Sequence, residues 1–163
     1  MSKKIIVMGV SGCGKSTVGQ AIADALQATF YDGDDFHPQA NVDKMASGTP
    51  LNDDDRRPWL ETLAQTIHDT RGNSVTACSA LKKQYRDILR NAGDLTFIFL
   101  EGDKQTLLER IQERSNNTTH FMPSSLLDSQ LATLESPTAE TGVITVSIHS
   151  PISKIIEDVL QQL

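Results

Sequence analysis

Residues 9–16 read GVSGCGKS and match the phosphate-binding pattern GxxxxGK(S/T) at every defined position. The apolar residues 5–8 precede this stretch, and Val18, Ile22 and Leu26 follow it at helical spacing. The pattern requires this context of a strand, a loop and a helix. The stretch therefore predicts a nucleoside triphosphate site, against the alternative of a glycine-rich turn that matches by chance.

Each part of this loop has an expected role in holding ATP. Its glycines let successive backbone N–H groups converge on phosphate oxygens, and the following helix adds its positive end. Lys15 supplies a point charge near the β- and γ-phosphates, and the Ser16 hydroxyl is expected on Mg²⁺. The expected nucleotide contacts are Gly9, Val10, Ser11, Gly12, Cys13, Gly14, Lys15, Ser16 and Thr17.

Composition limits the class of protein. The 163 residues, 38% of them hydrophobic, indicate one domain over residues 1–163 with its own core. A net charge of −6 argues against nucleic acid as a partner and favours a small ligand. Cys13 and Cys78 lack metal-ligand spacing and are expected as reduced thiols. No apolar stretch approaches the roughly 18 residues of a membrane span, and no cleavage site precedes the first strand, so we expect a cytoplasmic protein without membrane contact.

Strand and helix patterns alternate along the chain, which predicts an α/β fold with a mostly parallel sheet and helices on both faces. The last helix is expected over residues 151–163, with Ser150 as N-cap and Pro151 at its first position. Residues 34–57 and 115–125 are expected as a substrate-binding insertion and a lid over the carboxyl ends of the strands. The five predicted strands are residues 3–8, 29–31, 74–78, 95–100 and 143–148.

A carboxylate cluster follows the second predicted strand. Phosphoryl transfer uses one carboxylate near Mg²⁺ and one that accepts a hydrogen bond from the attacking hydroxyl. Asp32 and Asp34 are the candidates for these two tasks. A solvated turn, in which acidic residues only favour the loop, is the alternative.

Two pairs of basic residues lie next to segments where a ligand is expected to bind. Lys82 and Arg86 are four residues apart after the third predicted strand, and they are candidates for holding an anionic group of the acceptor. Arg110 and Arg114 precede the polar stretch 115–119, an arrangement typical of a lid that carries an arginine to the transferred phosphoryl group. The alternatives are a solvated helix face for the first pair and a satisfied helix C-terminus for the second.

Four further segments, together with the loop, carry a resemblance to a known family. DGDDFHP (32–38), NVDKMASGTPLNDDDRRPWL (41–60), CSALKKQYRDILR (78–90) and HFMPSSLLDSQLATLE (120–135) resemble the small bacterial-type gluconokinases over nearly the whole chain. The resemblance implies a P-loop kinase that transfers the γ-phosphoryl group of ATP to the 6-hydroxyl of D-gluconate, giving 6-phosphogluconate and ADP. It also implies a homodimer.

The resemblance assigns roles by position. It implies that Asp34 positions or deprotonates the sugar hydroxyl, with Asp32 close to Mg²⁺, and that Arg110 and Pro151 enclose the adenine. The implied catalytic residues are Lys15, Asp34 and Arg114. The implied acceptor contacts are Asp34, His37, Lys44, Arg56, Lys82 and Arg86. The run from Arg114 to His120 is longer than is common in the family and lacks its glycine, and we expect His120 to pack the lid against the body.

Two other functions stay open. The first is a kinase of the same fold that acts on another small anionic acceptor, such as a different sugar acid or shikimate. The second is a nucleotide-dependent switch, which is disfavoured because residues 41–44 read NVDK and not the Asn-Lys-x-Asp element of guanine switches. The third predicted strand, which ends TACS at 76–79, also lacks the acidic residue of motor ATPases.

Overall fold

The computed structural model of the protein describes residues 2–117 and 124–163. The described strands are β1 (Lys4–Met8), β2 (Thr29–Asp32), β3 (Ser74–Ala77), β4 (Leu95–Glu101) and β5 (Val143–Ser147). The described α-helices are α1 (Lys15–Leu26), α2 (Gln39–Ala46), α3 (Asp53–Asp69), α4 (Lys83–Leu89), α5 (Lys104–Asn117), α6 (Ser124–Thr133) and α7 (Ile152–Gln162). None of these helices combines the length and the apolar character needed to cross a bilayer.

The strands form one parallel sheet in the order β2-β3-β1-β4-β5, which confirms the predicted fold class. The chain leaves β1 toward β2 and β3 on one side and later returns to β4 and β5 on the other. The carboxyl end of β1 is therefore the point at which the strand order changes direction, and open α/β sheets bind ligands in the crevice at that point. The loop at residues 9–16 begins there.

Strand β1 is buried on both faces and carries the loop on a rigid base. Ile5 and Val7 pack in one apolar cluster with side chains of α1, α5 and α7. Ile6 and Met8 pack in a second cluster with side chains of α3 and α4. Each of the four is at most 1% exposed. Burial of one such side chain contributes about 1.5–3 kcal/mol, so the start of the loop is attached to a strongly packed strand.

The segment expected as an insertion, 34–57, has regular structure and ends inside a core helix. It contains most of a 3₁₀ helix at Gly33–Phe36, all of α2, and the first residues of α3. A capping box starts α3: Asp55 N–H donates to the Asn52 side chain at 2.8 Å, and Asn52 N–H donates to the Asp55 carboxylate at 2.9 Å. The acidic residues 53–55 therefore stabilise a helix N-terminus, where negative charge is favoured.

Two helix boundaries differ from the prediction. Helix α7 begins at Ile152, because Pro151 has ψ near 149° and forms the N-cap in place of Ser150. Ile152 is 48% exposed, outside the buried stripe. Helix α5 continues to Asn117, so residues 115–117 of the expected lid are helical; no glycine or proline interrupts the helix before that point. The expected lid residues 118–123, with His120 among them, lie outside the described residues.

Candidate active site

The loop after β1 adopts a conformation that only its glycines permit. Gly14 is the N-cap of α1 with φ of 92°, in the left-handed region, and contributes no side chain to the cap. The first N–H groups of α1 are therefore left without a side-chain cap at Gly14. Gly12 packs against α5, where an added Cβ would lie 3.0 Å from both the Leu107 carbonyl oxygen and Ile111 Cγ1. These features suit a loop that encloses an anion at a helix N-terminus.

Lys15 is placed over this loop. Its Nζ donates to the Val10 carbonyl oxygen at 3.2 Å and lies 4.0 Å from Cys13 Sγ. Burial raises the pKa of the Cys13 thiol, so the sulfur beside the ammonium group is uncharged. Lys15 takes part in none of the ion pairs among the described residues. Its charge is therefore available to a phosphate group.

The turn after β2 brings the two predicted carboxylates to the same edge. Gly33 has almost no space, because an added Cβ would lie 2.6 Å from the Ala77 carbonyl oxygen at the end of β3. The Asp32 carboxylate accepts a hydrogen bond from Asp34 N–H at 3.0 Å and caps the short helix. The exposed Asp34 carboxylate accepts no hydrogen bond from any described residue, so it is free to accept one from a substrate hydroxyl.

The Cys78 thiol shows how close these groups are. Cys78 follows β3 and is fully buried, which raises the pKa of its thiol to about 12. The charges of Asp34 and Asp32 act on this thiol in the same direction, and the charge of Lys15 acts against them. The charges of the loop lysine and of both carboxylates therefore act at the carboxyl end of β3, where ligands bind in open α/β sheets.

His37 forms part of a stacked pair beside this edge. Its ring lies 4.2 Å from that of Trp59, and Trp59 Nε1 donates to the Gly33 carbonyl oxygen at 2.7 Å. The Asn41 amide donates to His37 Nδ1 at 3.2 Å, which leaves the proton of the neutral ring on Nε2. Burial lowers the pKa of His37; the nearby Asp34 raises it and Arg56 lowers it further. The ring is therefore neutral at pH 7 and presents a donor.

The lowered pKa of His37 predicts a pH dependence of stability. The unfolded chain binds more protons at this residue, so the neutral ring contributes full stability above the ordinary histidine pKa of about 6.5, and this contribution is lost as the pH falls through the folded value. Urea unfolding followed by fluorescence of Trp59, the one tryptophan, should show a larger loss between pH 7.5 and 5 in the wild type than in His37→Asn. Equal losses would contradict this assignment.

A network between α3 and α4 holds two more of the predicted acceptor residues. Lys82 Nζ donates to the Asp53 carboxylate at 3.0 Å, and the Tyr85 hydroxyl donates to the same carboxylate. Arg56 in turn donates to the Tyr85 hydroxyl at 3.1 Å. The bonds from Tyr85 and Lys82 lower the pKa of Asp53 to about 2. Asp53 and Tyr85 were not among the predicted site residues; their only signal in the sequence was their place in the segments that resemble the gluconokinases.

Lys44 lies next to this network and has a partner of its own. Its Nζ donates to the Asp55 carboxylate at 2.6 Å. The Lys44 side chain is 30% exposed and the Asp55 side chain is 24% exposed. The structure thus places His37 where the charges of Asp34 and Arg56 both act on it, and it joins Arg56 to Lys82 through Tyr85. These donors are the polar groups that a hydroxylated acid requires.

The structure contradicts the prediction that Arg86 contacts an acceptor. Its side chain is fully buried. Its guanidinium donates to the Glu140 carboxylate at 2.6 and 3.0 Å and to the carbonyl oxygens of Ala80 at 2.7 Å and Glu135 at 2.8 Å. Lys82 is the N-cap of α4 with extended backbone, so the two residues do not share one helix face. Arg86 is therefore a structural residue. Arg90 also pairs with Glu140, at 2.8 Å.

Arg110 and Pro151, the residues predicted to enclose the adenine, lie just beyond the end of β5, which is on the opposite side of β1 from β3. Arg110 Nη2 donates to the Ile148 carbonyl oxygen at 2.6 Å, just after β5. Pro151 follows in the same turn and is exposed. Arg114 belongs to α5, but its side chain lies outside the described part of the structure, so its role stays a prediction.

Two side-chain oxygen ligands at the carboxyl edge of the sheet suit a Mg²⁺ ion that binds together with ATP. Ser16 is exposed at the start of α1, and Asp32 is half-buried. Both offer hard oxygen ligands, which Mg²⁺ prefers, and the ion commonly takes only one or two from the protein beside phosphates and water. In the described part of the chain no group of three or more His, Cys, Asp or Glu side chains could enclose a metal.

Comparison with known proteins identifies the family. The sequence model of the family described as "Shikimate kinase" matches residues 11–163. The thermosensitive gluconokinase of Escherichia coli (strain K12) is 44% identical over 98% of this chain and 86% of its own length. The crystal structure of a gluconokinase from Sinorhizobium meliloti 1021 matches with a TM-score of 0.88 and 47% identity, over 98% of this chain and 90% of that one.

A shikimate kinase provides the contrast. The solved enzyme from Bacteroides thetaiotaomicron matches over 99% of both chains with a TM-score of 0.70, at 14% identity, which shows a shared fold alone. The high identities are with gluconokinases, as the quoted segments predicted. By its family match this chain belongs to the Shikimate kinase family, and by its relatives it belongs to the gluconokinases.

Proposed function

We propose that this protein transfers the γ-phosphoryl group of ATP to the 6-hydroxyl of D-gluconate, giving 6-phospho-D-gluconate and ADP. The observation that carries the proposal is the joint placement of Lys15 and Asp34 at the end of β3, in a chain that is 44% identical to a gluconokinase. The loop offers an unpaired cation for the phosphates, and the neighbouring turn offers a free carboxylate for the hydroxyl.

The exposure and the hydrogen bonds of each residue indicate its role. Lys15 and the first N–H groups of α1 stabilise charge on the phosphates. Asp34 accepts the hydrogen bond of the attacking hydroxyl, because its carboxylate has no other described partner. Ser16 and Asp32 would hold Mg²⁺, which supplies charge neutralisation on the phosphates when bound. Asp32 suits this role because its carboxylate is already oriented by Asp34 N–H.

The acceptor side of the proposal uses four basic residues. His37, Lys44, Arg56 and Lys82 are candidates for the carboxylate and hydroxyls of the acid. Arg56 and Lys82 share the Tyr85 ring, with Arg56 Cζ 5.5 Å and Lys82 Nζ 5.7 Å from its centroid, and Asp53 neutralises one cation of the pair. One net positive charge remains for one carboxylate, and an arginine can bind it through two hydrogen bonds.

Replacing Asp34 with asparagine should slow transfer and spare nucleotide binding. The effect on kcat is expected at about 100-fold, the low end for a general base, because phosphoryl transfer has a loose transition state that needs little deprotonation. Steady-state kinetics and ADP titration by calorimetry measure the two quantities. Asp35→Asn is the matched control, since Asp35 is an exposed neighbour on the same turn. Loss of ADP affinity in Asp34→Asn would show that this carboxylate serves the metal.

A panel of acceptors tests the reaction itself. ADP release with ATP and Mg²⁺ should be rapid with D-gluconate and slow with other hexonates, shikimate, glucose, AMP or no acceptor. Activity with a different acid alone would keep the kinase chemistry and change the substrate. Slow hydrolysis that ignores every acceptor would favour a nucleotide switch.

We further propose a cytoplasmic homodimer. Two buried free thiols, Cys13 and Cys78, support a reducing compartment, and the gluconokinase resemblance supports the dimer. Light scattering after size exclusion, compared with the 17.8 kDa chain, measures the oligomeric state. A mass near that of one chain would overturn the dimer.

A further inference from the structure

The tip of the phosphate-binding loop is held by the two helices on either side of residues 118–123. Cys13 N–H donates to the Val10 carbonyl oxygen at 3.4 Å, which closes a turn with Ser11 and Gly12 at its tip. The Gly12 side of the tip packs on α5. On the other side, Ser11 N–H donates to the side-chain oxygen of Gln130 on α6 at 2.7 Å. The tip is thus tied to α6 by one side chain.

Gln130 is well placed to hold the tip in one position. Leu127, one turn earlier on α6, is fully buried in the central apolar cluster, and Leu131 packs against the same cluster. The half-buried Gln130 therefore projects from a helix whose position is determined by core packing. Its amide nitrogen has no hydrogen-bond partner among the described residues. The side chain's one described polar contact is the bond to the loop.

The bond matters because Ser11 N–H belongs to the loop that binds phosphate. A backbone N–H that donates to Gln130 fixes the orientation of the peptide plane between Val10 and Ser11, through which the chain enters the tip. Donors that bind a phosphate in a fixed arrangement pay no reorganisation cost when the nucleotide arrives. A free tip would have to be ordered by the nucleotide itself.

We propose that Gln130 is a positioning residue of the nucleotide site, which orients the loop tip through the hydrogen bond from Ser11 N–H to its side-chain oxygen. It acts on ATP binding and not on the acceptor. The inference rests on the proposed kinase function only for its kinetic consequence, since the effect on nucleotide affinity requires no acceptor.

Two substitutions separate this role from simple packing. Gln130→Met keeps the length of the side chain and removes the acceptor, so the affinity for ADP should fall about 3- to 10-fold, the loss of one ordinary hydrogen bond. Gln130→Glu keeps both length and acceptor but adds a negative charge at the loop. It should leave thermal stability near the wild-type value and still weaken ADP binding by about tenfold or more.

The measurement is calorimetric titration of ADP with Mg²⁺ in the absence of any acceptor, together with the melting temperature of each variant. Ser129→Ala is the control, because Ser129 is exposed on the same helix, and it should bind ADP like the wild type. In kinetics, KM for ATP should rise in Gln130→Met while KM for gluconate stays constant.

Wild-type ADP affinity in Gln130→Met would overturn the proposal, whatever Gln130→Glu does. Equal changes in the KM values of ATP and gluconate would also overturn it. If the wild-type protein does not turn over gluconate but ADP binding by the variants follows the expected order, the positioning role stands and the acceptor assignment fails. The two failures are therefore distinguishable.

Discussion

Lys15→Ala should lower kcat by about 1,000-fold, the upper range for removal of one group that stabilises charge in a transition state. Lys15 belongs to none of the described ion pairs, and its ammonium group lies over the loop at 3.2 Å from the Val10 carbonyl oxygen. No other cation of the described loop residues 9–17 can replace it. A coupled assay of ADP production measures the effect.

An exposed lysine on another helix, α4, provides the control for this experiment. Lys83 is exposed and pairs with Asp87 one turn along α4, a contact of about 0.3–0.5 kcal/mol. Lys83→Ala should therefore keep kcat within about twofold of the wild type. Near-normal turnover in Lys15→Ala would remove the phosphate-binding assignment, while a matched loss in both variants would point to a general effect of charge.

Arg86→Ala should destabilise the fold by about 3–5 kcal/mol, because it leaves the Glu140 carboxylate without its main partner inside the protein. For a chain of this size that corresponds to a melting temperature lower by about 10 °C. Chemical denaturation followed by Trp59 fluorescence measures the free energy of unfolding. Arg90→Ala is the matched control, since Arg90 pairs with the same carboxylate but keeps 27% of its side chain exposed. It should cost about 1 kcal/mol or less.

A double substitution tests the cause. Arg86→Met combined with Glu140→Leu removes both charges, and it should recover much of the stability that Arg86→Ala loses. If Arg86→Ala instead melts like the wild type and raises only KM for gluconate, Arg86 contacts the acceptor and the structural role is wrong.

The prediction for Arg86 was wrong because it rested on helical spacing from Lys82. Four residues separate Lys82 from Arg86, and that spacing places two side chains on one face only when both belong to the helix. Lys82 lies before the first turn of α4, with extended backbone, and turns toward Asp53. Arg86 turns inward to the Ala80 carbonyl oxygen, and Ala80 has a positive φ of 46°. The spacing of the two residues in the sequence does not reveal that their side chains point to different partners.

Other parts of the site could be predicted from patterns of residues that are close together in the sequence. The loop at 9–16 follows from its glycines, its lysine and the apolar strand before it, because these act within a few residues of one another. Asp32 and Asp34 were placed at the sheet edge because parallel strands bring their carboxyl ends together. The boundary at Pro151 was wrong by one residue, since proline is compatible with both the N-cap and the first turn.

Periodicity and loop chemistry therefore predicted the strands and helices of the parallel sheet, the nucleotide loop and the acidic turn, because the patterns that indicate them are formed by residues close together in the chain. Which polar side chains pair with each other could be learned only from the tertiary structure. Asp53 meets Lys82 across 29 residues, Arg86 meets Glu140 across 54, and Ser11 meets Gln130 across 119. These contacts arise because core packing brings distant helices and loops together, and burial then requires each charge and donor to find a partner.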